Sequence, residues 1–245
     1  MGRVLIYRDI LLEAGHEILA TMKRRSRLRL VLEGLEGGLV LGTALCTWPL
    51  SKCRLENWGA RTTEREREWA GDRLVSANQD PLTRAIAISA PAPNVWKWLV
   101  QFGLGKAGFY SYELLERLVG IPVTNLESIE PSMQSLEVGE EVLLHPRAGI
   151  RVSLLEPERC ICFGPSDEER RTSEPGTVLR SWSVYIEPTG SDSCRLVVRS
   201  CFEHRGRLPL LKRVAALLEA PVDFAMEQRM LRTIKRLAEE AHSQT

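Results

Sequence analysis

Residues 177–202 read TVLRSWSVYIEPTGSDSCRLVVRSCF. The two halves are rich in β-branched and aromatic residues, and the PTGSD between them has the composition of a turn. Side chains alternate faces along a strand. Arg180, Trp182, Val184 and Ile186 therefore share one face of the first strand, and Leu179, Ser181, Ser183 and Tyr185 share the other. In the second strand Leu196, Val198, Ser200 and Phe202 alternate with Arg195, Val197, Arg199 and Cys201, and the first set reads as the inward face. A connection this short folds the two strands back antiparallel.

The pattern extends in both directions. Upstream, β-type runs recur at Glu141 to His145, Ile150 to Leu155 and Arg159 to Phe163, with turn signals after each. Further upstream, Thr83 to Ser89 alternates as a strand, and Pro91 to Asn94 breaks it. Val95 to Phe102 then reads as a helix with Val95, Trp98, Leu99 and Phe102 on one face, and Tyr112 to Val119 as a second helix stopped by Gly120 and Pro122. Downstream, Leu210, Leu211, Val214, Leu217 and Leu218 begin a stripe that Val222, Met226, Met230, Leu231, Ile234 and Leu237 continue. Pro221 inside it predicts a kink or a new first turn. The order predicts an α+β fold: a curved antiparallel sheet wrapped on one long C-terminal helix, preceded by an N-terminal helical extension.

The 245 residues are 27% charged and 44% hydrophobic, as expected of a foldable globular chain. Lys and Arg number 33 against 32 Asp and Glu, so nothing suggests a nucleic-acid partner. The charge is unevenly placed. Up to Arg54 there are nine bases and five acids, leaving 24 bases and 27 acids for the rest. Residues 1–54 read as an extension, 55–82 as a connector and 83–245 as the main domain. Met1 to Met22 has the spacing of an amphipathic helix, and a basic run, Lys23 to Arg29, follows. Residues 30–51 are apolar except for Glu33 and Glu36, and their uncharged part from Gly37 to Ser51 is shorter than the ~20 residues that span a bilayer. Each carboxylate costs about 2.5–3.5 kcal/mol at a helix centre, so insertion is nearly balanced, and a membrane anchor and a soluble helix both remain open. The basic flank predicts a cytoplasmic protein, attached if at all to the inner face of the membrane.

The six cysteines lack C-x-x-C spacing and read as reduced, small buried hydrophobes. Gly103-Leu104-Gly105-Lys106-Ala107-Gly108 matches G-x-G-x-x-G. The helix before it and the strand meander after it predict a sharp turn instead of a dinucleotide site. The run Glu64 to Glu68 reads as a solvated helix face. No metal or cofactor pattern is present in the sequence, and neither group is expected.

Several runs carry a family resemblance. They are Ile88-Ser89-Ala90-Pro91, Val95-Trp96-Lys97-Trp98-Leu99-Val100-Gln101, Gly108-Phe109-Tyr110-Ser111-Tyr112-Glu113, Leu136-Glu137-Val138-Gly139-Glu140, and Asp223 to Leu231 with Ile234-Lys235. With Trp58-Gly59-Ala60 and Gly71-Asp72, they make the chain from about Trp58 to Glu239 resemble the START-like, or SRPBCC, superfamily, close to its polyketide-cyclase-like bacterial members. The resemblance implies a helix-grip fold with a cavity between sheet and long helix, suited to a hydrophobic small molecule or lipid. It implies as an alternative a cyclase- or dehydratase-like enzyme using the same cavity. The N-terminal segment by itself suggests a third reading, a membrane-tethered protein-interaction module.

Candidate cavity walls are Trp98, Phe109, Tyr110, Tyr112, Trp182, Phe202 and Met226, with Arg180 placed to meet an anionic head. His145 at a strand end and Tyr112 are the available proton-transfer candidates, and neither has a partner nearby in sequence.

Overall fold

The computed structural model describes residues 27–76, 81–206 and 210–244. The expected amphipathic helix of residues 1–22 lies outside them, as does the start of the basic run. Helix α1 spans Arg27–Glu56, a short α2 spans Thr62–Glu66, and a 3-10 turn spans Ala70–Leu74. Strand β1 (Leu82–Ile88) leads to α3 (Ala92–Val100) and α4 (Glu113–Leu118). Then come β2 (Glu141–His145), β3 (Ala148–Glu156), β4 (Cys160–Gly164), α5 (Asp167–Thr172), β5 (Thr177–Gly190), β6 (Ser193–Arg205) and α6 (Leu210–Ser243). The six strands form one antiparallel sheet in the order β1-β6-β5-β4-β3-β2. This is the helix-grip arrangement, with an N-terminal helix added.

Alternation explains the core. Val184, Ile186, Leu196 and Val198 point from β5 and β6 toward Met230, Leu231, Ile234 and Leu237 of α6, and all are buried. Proline does not end α6: of the kink or fresh start expected at Pro221, the fresh start is not found, and one helix runs through it. A proline removes one backbone donor and strains one turn, but packing over 34 residues can offset a local cost of ~3 kcal/mol.

The other sheet face is covered by residues 61–76. The run read as a solvated helix face is exposed from Arg65 to Glu68, and the reading fails at Glu64. Glu64 is only 4% exposed, and its carboxylate accepts hydrogen bonds from Arg195 Nε (2.8 Å) and Nη2 (2.7 Å) of β6. Arg199, four residues on and therefore on the same face, makes the same two-pronged contact with Asp72 at 2.7 and 2.9 Å. Trp69 lies on Tyr185 with ring centroids 4.3 Å apart, and the Gly71 N–H donates to the Tyr185 hydroxyl at 2.7 Å. A sheet face carrying Arg195 and Arg199 reads as solvated in sequence. The acids that pair with them lie 131 and 127 residues away, so local patterning does not reveal the cover.

Helix α1 packs sideways against α4 and α6. Gly37 is buried there, and a Cβ on it would meet Leu115 Cδ1 and the Tyr112 ring at 2.9 Å. Glu33 and Glu36, the two acids that interrupt the apolar segment, both pair with Arg229 of α6. Their placement therefore serves docking of α1 on the body.

The buried Glu64–Arg195 pair generates a stability prediction. Removing one partner of a buried pair strands the other charge, so Glu64→Ala and Arg195→Ala should each lower the unfolding free energy by about 3 kcal/mol. The double variant should lose much less than the sum, as a double-mutant cycle in urea would show. Additive losses would mean the pair is not coupled.

Candidate functional site

A cavity of about 580 Å3 lies between the inner sheet face and α6, within the range of small-molecule sites. One wall is aromatic. Phe109, Phe102, Trp182 and Phe163 follow one another with each neighbouring pair of ring centroids 5.4 Å apart, and Phe163 and Trp182 are stacked. Met226 and Met230 of α6 form the facing wall. Flat rings opposite flexible thioethers suit a planar or irregular apolar guest.

The loop that presents Phe109 and Ser111 is set by Asn125. Its side-chain oxygen accepts from the Phe109 and Tyr110 N–H groups (2.8 and 2.7 Å), and its amide donates to the Ser111 carbonyl (2.9 Å). Gly108 has φ +86°, and a Cβ there would meet Asn125 Oδ1 at 2.5 Å. The G-x-G-x-x-G run is thus a turn, with Gly103 and Gly108 bridging one another. The Asn125 N–H donates to Glu113 at 2.7 Å, which ties the clamp to the start of α4.

Polar groups enter the cavity mainly as satisfied pairs. Trp182 Nε1 donates to Glu227 Oε1 at 2.8 Å, and Arg84 holds the other oxygen of Glu227 at 2.5 Å. Arg180 donates to Asp223 and to the Ser200 hydroxyl, both at 3.1 Å. Its charge is therefore compensated within the protein, which weakens the expected meeting with an anionic head. The exception is Glu116 of α4. It is 2% exposed, lines the cavity, and has one buried carboxyl oxygen with no hydrogen-bond partner. Burial pushes its carboxyl up to about 8, with Glu113 adding to the rise and hydrogen bonding from Ser111 and the Arg117 charge opposing it.

The candidate residues divide by position. Phe109, Arg180, Trp182 and Met226 line the cavity. Trp98 is buried in the core, and Tyr110 is fully enclosed, its hydroxyl donating to the Trp98 carbonyl at 3.0 Å and accepting from Gln101 at 3.0 Å. Desolvation raises the Tyr110 phenol far above its ordinary range. Tyr112 faces α1, where its hydroxyl lies 3.5 Å from Glu36. Phe202 lies under the Arg180 guanidinium, 5.3 Å from ring centroid to carbon. His145 accepts the Arg147 N–H at 3.2 Å beyond the cavity lining. Among the described residues no cluster of His, Cys, Asp or Glu is arranged to hold a metal ion.

Asn125 carries no signal in a linear reading, and Glu116 carries only a weak one. On α4, Leu114 and Leu118 are exposed while Glu113 and Glu116 are buried, the reverse of an ordinary amphipathic helix. The available hint was the i, i+3 spacing of the two glutamates, which places them on one side.

No family model and no curated protein matches the chain. Solved structures give distant likenesses. An aromatase/cyclase from Streptomyces sp. R1128 is 19% identical over 65% of this chain and 93% of its own, with a TM-score of 0.36. Norcoclaurine synthase from Thalictrum flavum, in complex with dopamine and hydroxybenzaldehyde, is 16% identical over 71% and 94%, with a TM-score of 0.39. A protein from Mesorhizobium loti is 14% identical over 64% and 97%, with a TM-score of 0.34. Similarity this distant says nothing about activity. The strand order and the placement of the long helix, taken from the chain itself, identify its fold as helix-grip.

Proposed function

We propose that the protein binds a hydrophobic small molecule or lipid in the cavity between its sheet and α6. The observation that carries this reading is a 580 Å3 space lined by four consecutive aromatic rings and two methionines, with most of its polar groups already paired. Enclosing about 300 Å2 of apolar ligand surface contributes about 7 kcal/mol before association costs, at ~25 cal/mol per Å2. The neutral dye N-phenyl-1-naphthylamine should bind saturably with enhanced fluorescence. Met226→Trp should fill the space and weaken binding at least tenfold at unchanged thermal stability. Equal binding by both proteins would overturn the cavity as the site.

A second reading concerns where the body sits. Helix α1 turns its glycine, alanine and tryptophan face (Gly37, Ala44, Trp48) to the body. On the opposite face Leu32, Leu35, Leu39 and Leu50 are 56%, 66%, 72% and 95% exposed. Leu30–Trp48 is long and apolar enough to cross a membrane, but one side of it is committed to α4 and α6. We infer that α1 lies along an anionic membrane surface, leucines inward, and the basic sequence Lys23 to Arg29 favours anionic lipid by about 1 kcal/mol per base. The full-length protein should sediment with vesicles containing phosphatidylglycerol and much less with phosphatidylcholine alone. Salt and Leu35→Glu with Leu39→Glu should each release it. Binding that ignores lipid charge and both leucines would sink this reading.

A further inference from the structure

We propose that Glu116 is the proton-transfer group of a catalytic activity housed in the cavity, acting as general base toward a planar aromatic ligand held on the wall of Phe109, Phe102, Trp182 and Phe163. The inference rests on the ligand-binding reading above and goes beyond it in assigning chemistry. Two independent observations support it.

The first is the state of the cavity's polar groups. Among the described residues, Glu116 Oε2 is the only cavity-lining side-chain atom that is buried and left without a hydrogen bond. Leaving a buried polar atom unpaired costs about 1–3 kcal/mol, a penalty relieved by a ligand that offers it a proton. The other charged groups facing the same space are compensated or solvated. From α6, Asp223 is paired with Arg180 of β5, and Glu227 is held by Arg84 and Trp182. From α5, Glu169 accepts the Ser166 N–H, which with the Ser166 hydroxyl keeps it below the ordinary carboxylate range. From β2 and β3, Glu141 and Arg151 stand opposite one another and are exposed. On its own helix Glu116 has Glu113 and Arg117, which oppose each other's influence on it.

The second is the aromatic wall, which lines the same cavity as the carboxyl and offers flat surfaces for a flat guest. A carboxylate in an apolar setting is a stronger base than one in water, because water no longer stabilises its charge. Its affinity for the proton near 8 also matches what general acid–base catalysis at neutral pH requires. Tyr112 and His145 lie outside the lining, so the proton-transfer role passes to a residue that the sequence did not single out.

A ring-opening reaction of 5-nitrobenzisoxazole tests this without knowledge of the natural ligand. The Glu116 carboxylate takes the proton from C3. The C–H electron pair becomes the third bond of a nitrile, the N–O bond breaks, and its electron pair leaves on the phenolate oxygen. Glu116 then returns its proton to solvent, and no oxidant or co-reactant is consumed. The wild-type protein should release the coloured nitrophenolate faster than buffer does, with a rate that rises with pH and levels off above about 8, where the carboxyl is ionised. Glu116→Gln should lose at least a hundredfold of this rate while still binding N-phenyl-1-naphthylamine saturably. Glu116→Asp should keep part of the rate. If Glu116→Gln does not fold, the wild-type pH profile and Glu116→Asp carry the test. Substrate that displaces the dye without turnover, turnover that survives Glu116→Gln, or a rate inflection in the ordinary carboxylate range would each overturn the proposal while leaving the binding reading intact. Failure of the dye to bind would overturn both.

Discussion

The Glu227 carboxylate holds helix and sheet in register. One oxygen accepts from Trp182 on β5 and the other from Arg84 on β1, and Arg84 also reaches the Leu55 carbonyl at the end of α1. Three elements far apart in sequence thus meet on one side chain of α6. Apolar packing tolerates sliding of a helix over a sheet, because dispersion contacts are numerous and individually weak. A largely enclosed carboxylate with two fixed donors does not tolerate it, since losing Arg84 leaves an uncompensated charge and losing the Trp182 N–H leaves an unmet hydrogen bond. The same bond sets the tilt of Trp182, and with it the aromatic wall that Phe102 and Phe163 extend.

A similar arrangement recurs on the other face of the sheet. Arg195 and Arg199 project there because they alternate with Leu196 and Val198, and residues 61–76 cover them with Glu64 and Asp72. Strands β5 and β6 are therefore covered on both faces, with apolar residues toward α6 and charged pairs toward the connector. This organisation leaves Glu116 as an exception: a buried acid facing the cavity with an oxygen unpaired. Its unmet hydrogen bond stands out because the neighbouring acids have partners.

Much of the architecture was legible from residue order. Period-two alternation located β2 to the residue and β3 to β6 to within a few residues, since that pattern arises within each strand. The continuous stripe from Leu210 to Leu237 marked the long helix for the same reason. Pro221 does not start a new helix, because propensity describes an isolated helix and tertiary packing can outweigh it. Four of the seven candidate walls, Trp98, Tyr110, Tyr112 and Phe202, also lie outside the cavity lining. Tyr110 and Tyr112 are adjacent aromatics beside a glycine turn, but one hydroxyl is enclosed in the core and the other faces α1.

By itself the sequence determined the order of strands and helices, the inward face of β6, and the turn character of the glycine run, because each follows from neighbours within a few residues. Tertiary structure decided which charges are buried, which aromatic rings share a wall, and what the two acids of α1 are for. Those outcomes depend on pairs such as Glu64 with Arg195, Trp182 with Glu227 and Glu36 with Arg229, separated by 45 to 193 residues. No local pattern encodes such a distance. It is set only when the folded chain brings the partners together in a space that water has left.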